Sequence, residues 1–194
     1  MPRLFTGLEI PEPLIERLTH LRSGLNGARW IAEENYHITL RFIGDVDDPV
    51  ADDVASALAK IRAKSFSIRI NALGSFGGRK PRAIWAAIEA GTELEALYKA
   101  NESAVRAAGL PPETRKFIPH VTLARLKGMS AKAVASYLQA NGGFSTTPFK
   151  VERFVLYSAR PGSGGGPYVV EDAYPLESDG AAISGIASLD GPPG

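Results

Sequence analysis

Residues 35–46 read NYHITLRFIGDV, and residues 116–127 read KFIPHVTLARLK. Each stretch contains a His–aliphatic–Thr–Leu tetrapeptide: His37-Ile38-Thr39-Leu40 and His120-Val121-Thr122-Leu123. Their β-branched and aromatic content predicts a strand in both places. Side chains alternate between the two faces of a strand. His37 and Thr39 therefore share one face, and Ile38 and Leu40 the other. The same holds for His120 and Thr122 against Val121 and Leu123. Each strand is expected to bury its aliphatic pair and to present an imidazole beside a hydroxyl. Two such strands, central in two facing sheets, would line one cleft with two histidines and two threonines.

Outward from these strands the chain alternates short strands with amphipathic helices. A strand is predicted over 3–10, ended by Pro11 and Pro13, and a helix over about 13–25, with Leu14, Ile15, Leu18, Leu21 and Leu25 on its apolar face. A strand over 36–43 breaks at Gly44-Asp45, and a helix over 49–63 follows. Strands over 65–73 and 82–90 flank the connection SFGGRKPR. A helix over about 93–108 ends at Gly109. After Pro111-Pro112 come the strand His120–Arg125, a helix over about 130–140, and a hairpin of 149–159 with 167–174. The order is β-α-β-α-β-β followed by a similar, shorter run. This predicts an α+β fold of two pseudo-symmetric lobes, each an antiparallel sheet flanked by helices, enclosing a central cleft. Residues 1–176 are expected to form this single bilobal domain. Residues 177–194, rich in Gly, Ser, Ala and Pro and acidic, read as a disordered tail.

The 194 residues are 44% hydrophobic and 22% charged, an ordinary globular composition able to bury a core. The absence of cysteine excludes disulfides, zinc–thiolate sites, iron–sulfur clusters and a cysteine nucleophile. With three histidines a His-rich metal centre is not expected either. No apolar run approaches the roughly 20 residues a membrane span needs, and the N-terminus lacks a long apolar segment. A soluble, cytoplasmic protein that does not enter a membrane is expected. The net charge of +1 hides an asymmetry. From Glu171 onward there are five acids and no Lys or Arg, so residues 1–170 carry 22 bases against 16 acids, compatible with an anionic ligand.

Two histidines and two threonines on one cleft suit phosphoryl chemistry. Imidazole titrates near neutrality, so one histidine can act as base while the other, protonated, acts as acid. Threonine hydroxyls can donate to phosphate oxygens, where fixed donors must stabilise charge. One such tetrapeptide alone would more often mark a packed histidine. Two near-identical copies, using two of three histidines, favour chemistry. His20, in LTHLR, lacks this setting and reads as a surface or half-buried residue.

With these motifs the chain resembles the two-histidine phosphoesterase superfamily, defined by paired H-x-[ST]-x motifs. It is most similar there to the RNA 2′,3′-cyclic phosphodiesterases, also called the 2′-5′ RNA ligase family. RLFTGLEIP near the start, NYHITLRFIGDV, KFIPHVTLARLK and YVVEDAYPL carry the likeness, which spans about residues 3–176. The resemblance implies a bilobal fold and metal-independent hydrolysis of an RNA terminal 2′,3′-cyclic phosphate to a 2′-phosphomonoester, without cofactor. It implies His37 as proton donor, His120 as proton acceptor, and Thr39 and Thr122 as phosphate-binding residues. A 5′-hydroxyl in place of water would give 2′-5′ ligation as a side activity. The expected partner is RNA with a 2′,3′-cyclic phosphate end, or a small cyclic nucleotide, bound by a monomer. Alternatives are a phosphodiesterase for another small cyclic phosphate, such as ADP-ribose cyclic phosphate, or a non-catalytic module that binds a nucleotide or RNA end.

Further candidates flank the motifs. Arg41 shares the strand face of His37 and Thr39 and is expected to reach the cleft or its rim. Arg125 lies three residues beyond Thr122, so a regular strand turns it away from His120, and only a bend or bulge returns it. Arg79, Lys80, Arg82, Arg115, Lys116 and Lys127 could attract an RNA backbone or simply form a solvated face. Phe117, in the loop before His120, is the better candidate than Tyr36 to stack a base. Trp30 and Trp85 read as packing residues. The run Gly162–Gly166 lacks the Gly-Lys-Ser/Thr ending of a phosphate loop and reads as a hairpin connection.

Overall fold

The structure, a computed structural model, describes residues 3–159 and 166–178. The elements in chain order are β1 (Arg3–Glu9), α1 (Glu12–Thr19), β2 (Arg29–Trp30), a 3₁₀ turn (Glu33–Asn35), β3 (His37–Asp45), α2 (Asp48–Leu58), β4 (Phe66–Ile68), β5 (Ile70–Phe76), β6 (Ala83–Ile88), α3 (Thr92–Ala107), β7 (His120–Arg125), α4 (Ala131–Ala140), β8 (Phe149–Val151), β9 (Arg153–Ala159) and β10 (Tyr168–Pro175). Among the described residues no helix is long and apolar enough to cross a membrane.

The strands run β10-β9-β1-β3-β7-β6-β5, every pairing antiparallel, with β2 added on β7. A separate ribbon joins β4 to β8. The two histidine strands meet at one position only, Ile38 opposite Val121. Beyond it β2 takes the place beside β7, with Arg29 opposite Arg125 and Trp30 opposite Ala124. The sheet is thus two half-sheets, β10-β9-β1-β3 and β7-β6-β5, hinged on one pair of residues. This is the two-lobed α+β arrangement expected from the sequence.

The helices cover the two halves in a crossed manner. α3 packs on β3, with α2 beside it, while α4 packs on β5 and carries Tyr137, whose hydroxyl donates to the Leu21 carbonyl just after α1. One hydrophobic cluster runs through both halves and includes Leu8, Ile38, Leu97, Val121, Leu123 and Phe154. Its members on the motif strands include Ile38, Leu40, Val121 and Leu123, the aliphatic residues that strand alternation predicted, and also Ala124, which alternation placed on the other face.

The helices α1 and α2 are shorter than their apolar spacing suggested. α1 stops at Thr19, and the chain continues in single turns, Leu21 N–H to the Leu18 carbonyl at 3.1 Å and Arg22 N–H to that of Thr19 at 3.0 Å. Leu21 and Leu25 are nevertheless buried, because the turns keep them over the core. α2, capped by the Asp47 carboxylate on Val50 N–H, ends at Leu58, and Ile61 follows in a similar turn. α3 ends as expected, with Gly109 at φ +88°. The two-residue β2 and the three-residue 3₁₀ turn are too short to carry a period by which a sequence reveals them. Glu177, assigned to the tail, is held in place: its N–H donates to the Ala63 carbonyl and its carbonyl accepts from Ser65 N–H, both at 2.8 Å. Residues 179–194, and 162–165 of the glycine run, lie outside the described residues.

Candidate active site

The two motifs are built alike to the level of single residues. In both strands burial runs half-buried, buried, half-buried, buried, buried, exposed. The reason is a bulge at the same place. Across β1, Thr6 faces Arg41 and Gly7 faces Thr39, so Leu40 is an extra residue. Across β6, Ile84 faces Ala124 and Trp85 faces Thr122, so Leu123 is the extra one. A bulge shifts the alternation by one residue. Arg41 and Ala124 therefore turn into the helix-covered side, while Phe42 and Arg125 turn to the cleft.

This returns Arg125 to the cleft by the bulge it required, beside His37, Thr39 and Thr122. It also overturns the expectation for Arg41. That side chain is 6% exposed and points away from the cleft. Its guanidinium donates to Glu102 on α3, to the Phe42 carbonyl, and to the Pro111 carbonyl at 2.6 Å. Glu102 in turn accepts from Glu113 N–H at 3.1 Å. Arg41 therefore ties its strand to α3 and to the segment leading to the second motif.

Each histidine is anchored through the same atom. His37 Nδ1 lies 2.8 Å from the Asn35 carbonyl, and His120 Nδ1 lies 2.6 Å from the Ile118 carbonyl. A carbonyl only accepts, so Nδ1 carries the proton in both rings and each neutral imidazole presents an unprotonated Nε2. In that tautomer the Thr39 hydroxyl donates to His37 Nε2 at 3.1 Å. His120 Nε2 has no partner among the described residues.

Aromatic rings hold both imidazoles. Phe5 lies 4.9 Å from His37, centroid to centroid, and Tyr168 meets it edge-on at 5.0 Å. Phe76 meets His120 edge-on at 5.0 Å, and Trp85 stacks on Phe76 behind it. Burial among these rings disfavours the charged form. His37 is pushed down from 6.5 to about 4, the nearby His120 adding to the effect and the Asn35 carbonyl opposing it. His120 is lowered too, by burial, against the opposing Ile118 carbonyl. The two histidines are thus unequal, His37 the drier and more engaged of the pair.

Two cavities open on them. One, about 340 Å³, lies on the His37 side with Phe5, Tyr168 and Asn35. The other, about 680 Å³, lies on the His120 side with Phe76, Phe117 and a basic rim. They share Thr39, Phe42 and Arg125. Phe117 lines the second and stacks on Tyr98 of α3 at 4.1 Å, the planes 6° apart. Tyr36 is buried core, Trp30 packs against Tyr137, and His20 is exposed. Arg82, Arg115 and Lys116 reach the cleft wall, whereas Arg79, Lys80 and Lys127 do not line either cavity.

Sequence reasoning missed Phe5, Phe42, Phe76, Asn35 and Tyr168. Phe42 had a signal: it stands in the first motif where Arg125 stands in the second. Asn35 had none, since its role lies in a turn. Its carbonyl holds His37 and its side-chain oxygen accepts from Tyr168 N–H at 3.1 Å, tying β10 to the site. Among the described residues no three His, Cys, Asp or Glu side chains form a cluster suited to a metal.

Comparison with known proteins places this geometry. The chain matches the LigT like Phosphoesterase family over residues 8–85 and 88–168. It is 39% identical over 121 residues to a protein of Aeropyrum pernix named RNA 2′,3′-cyclic phosphodiesterase, covering 59% of this chain and 69% of that one. It is 30% identical over 164 residues to a protein of the same name from Thermotoga maritima, covering 81% and 86%. Among solved structures it resembles that of E. coli LigT complexed with 3′-AMP, with a TM-score of 0.74, 22% identity, and 91% and 99% of the chains covered.

Proposed function

The chain belongs to the LigT like Phosphoesterase family, and on that premise we propose that it hydrolyses RNA terminal 2′,3′-cyclic phosphate to the 2′-phosphomonoester. Relatives of that name supply the substrate class. The observation that carries the reading is the matched pair of imidazoles, each fixed through Nδ1 so that Nε2 is the working nitrogen. Residues 1–176 are proposed to act as one bilobal unit around the cleft.

In this mechanism the cyclic phosphate sits where the two cavities meet. Thr39, Thr122 and Arg125 donate to its non-bridging oxygens. His120 Nε2 takes a proton from a water in line with the 3′ oxygen. That water attacks phosphorus, the P–O3′ bond breaks, and His37 Nε2 gives its proton to the departing 3′ oxygen. The placement of the histidines, not their proton affinities, supports this division of roles. His120 Nε2 has no partner among the described residues, and its ring lines the larger cavity, where water has access. His37 is held in a drier pocket. Fixed donors and a guanidinium supply the charge stabilisation that the step needs, so no metal is invoked.

The test uses 2′,3′-cyclic AMP and an RNA with a 2′,3′-cyclic phosphate end, with chelator present. Wild type is expected to release only the 2′-phosphate. His37→Ala and His120→Ala are each expected to lose about 10²–10⁴-fold in rate, the usual contribution of a general acid or base. Release of the 3′-phosphate would reverse the leaving group. Undiminished turnover in either variant would remove the two-histidine mechanism.

A further inference from the structure

The two histidines are anchored on carbonyls that are supported differently. Asn35, whose carbonyl accepts from His37, ends a 3₁₀ turn with backbone bonds of its own, Asn35 N–H to the Ala32 carbonyl at 2.9 Å and Tyr36 N–H to that of Glu33 at 3.1 Å. Ile118, whose carbonyl accepts from His120, lies in a segment without such bonds. Among the described residues, 111–118 make no backbone–backbone hydrogen bond. Such a segment is held only as firmly as its side-chain ties. Those ties converge on one face of α3. Glu113 N–H donates to Glu102 at 3.1 Å, and the Glu113 carboxylate accepts from Arg115 N–H at 3.0 Å and from its guanidinium at 2.7 Å. Phe117 stacks on Tyr98, which stands one turn before Glu102 on the helix. Arg41, reaching from β3, donates both to Glu102 and to the Pro111 carbonyl, the latter at 2.6 Å. This buried cation comes from the first motif's strand, turned inward by the bulge at Leu40. At the matching bulge of the second motif the inward residue is Ala124, which carries no polar group.

We infer that Arg41 and Glu102 are positioning residues for His120: by fixing segment 111–118 they hold the Ile118 carbonyl against Nδ1, and so keep Nε2 unprotonated. The hydrogen bond made by one ring nitrogen decides which tautomer a neutral imidazole adopts. Without the Ile118 bond the proton is free to move to Nε2, and a protonated Nε2 accepts nothing from water. The first motif thus supports the histidine of the second through a side chain that points away from the cleft. The role of Nε2 as base rests on the phosphodiesterase reading, whereas the tautomer is a property of the chain alone.

Two variants of the full chain test this. Arg41→Met/Glu102→Leu removes both ties and leaves no charge buried alone, so its fold is expected to stand. Arg41→Lys keeps a cation beside Glu102 but gives up the planar fork that also reaches the Pro111 carbonyl. The first readout is the tautomer of each imidazole, by long-range proton–nitrogen NMR correlation in mildly alkaline solution without substrate. Wild type is expected to carry the proton on Nδ1 in both His37 and His120. In both variants His120 is expected to become a mixture of tautomers, while His37, anchored on a separate turn, stays as it was. The second readout is kcat on 2′,3′-cyclic AMP. It is expected to fall at least about tenfold in the double variant, even though urea unfolding shows a stability near that of wild type. Retention of the Nδ1 proton on His120 in either variant would overturn the inference, and Arg41→Lys decides alone should the double variant not fold. A matching change at His37 would overturn it too, since it would report a general loosening. So would a kcat that recovers together with stability. If wild type opens no cyclic phosphate, the phosphodiesterase reading fails, and the His120 tautomer still decides the positioning on its own.

Discussion

His37 is the residue on which the chemistry turns, and its environment makes a prediction about pH. The reaction needs His37 charged and His120 neutral, so the productive form carries one proton on the pair. Burial holds His37 at about 4 and His120 below its ordinary 6.5. A single proton on the pair then rests mainly on His120, the less depressed of the two, so the productive form with the proton on His37 is a minor one, populated only in mildly acidic solution. On 2′,3′-cyclic AMP, kcat/KM should fall about tenfold per pH unit above that range, because it reports the free enzyme. The bound cyclic phosphate is an anion, which favours the imidazolium and raises the His37 pKa. The alkaline limb of kcat should therefore lie at higher pH than that of kcat/KM. Rates measured from pH 4 to 9 decide it, and a kcat/KM limb lying above pH 7 would contradict the depressed values. Arg41 makes a second prediction at this scale. It is buried with Glu102, their side chains 7% and 18% exposed. Arg41→Met should cost about 3 kcal/mol, because it leaves a carboxylate buried without its cation. Arg41→Met/Glu102→Leu should recover most of that loss, since replacing both partners removes the stranded charge. Urea unfolding of the two variants separates these outcomes, and a single-variant cost under about 1 kcal/mol would mean the pair is energetically idle.

At the scale of elements, the strands that carry the site were legible because their period is 2 and their composition is β-branched. The faces of His37, Thr39, His120 and Thr122 followed from alternation alone, and the burial of Ile38, Leu40, Val121 and Leu123 agrees. What alternation could not supply was the bulge at Leu40 and Leu123, which depends on register against β1 and β6. That one feature exchanged the expected fates of Arg41 and Arg125. Helix lengths failed for a related reason: Leu21 and Leu25 are spaced for a helix but are buried by turns, so their spacing reports the core rather than the backbone. Asn35 was invisible because its work is done by a carbonyl. The element that seats His120 from behind can be probed at Gly74 of β5. A Cβ there would lie 2.6 Å from the Trp85 ring, closer than packed atoms allow. Gly74→Ala must move the indole, which stacks on Phe76 and meets His120 edge-on at 5.8 Å. We expect a stability loss of about 1–3 kcal/mol by denaturant titration. We also expect a fall in kcat of at least about tenfold, since small displacements of a reacting group are costly. Unchanged kcat would mean that the Trp85–Phe76 wall does not position the imidazole.

At the scale of the whole molecule, two half-sheets joined at Ile38 and Val121 could behave as two folding units or as one. The backbone argues for two, because a single pair of residues bridges them. The packing argues for one, because a continuous apolar cluster includes residues of both halves, and both bridge residues are fully buried in it. α3 adds a further tie: it lies between β6 and β7 in sequence but packs on β3 of the other half. Burial of apolar surface dominates the stability of a small domain, whereas one backbone pairing contributes about 1 kcal/mol. The core should win, and unfolding should be a single cooperative transition. The tryptophans make this measurable. Trp30 pairs beside β7 and Trp85 lies in β6, so both report the second half, whereas far-UV circular dichroism reports the whole chain. Their denaturant midpoints should coincide. Val121→Ala, at the bridge, should lower both midpoints together, by about 2 kcal/mol for the methyl groups removed from a closed core. A tryptophan midpoint displaced from the dichroism midpoint would show the halves unfolding separately. The cleft would then be a gap between two independently stable lobes, and the close matching of the two histidines could not be attributed to a shared core.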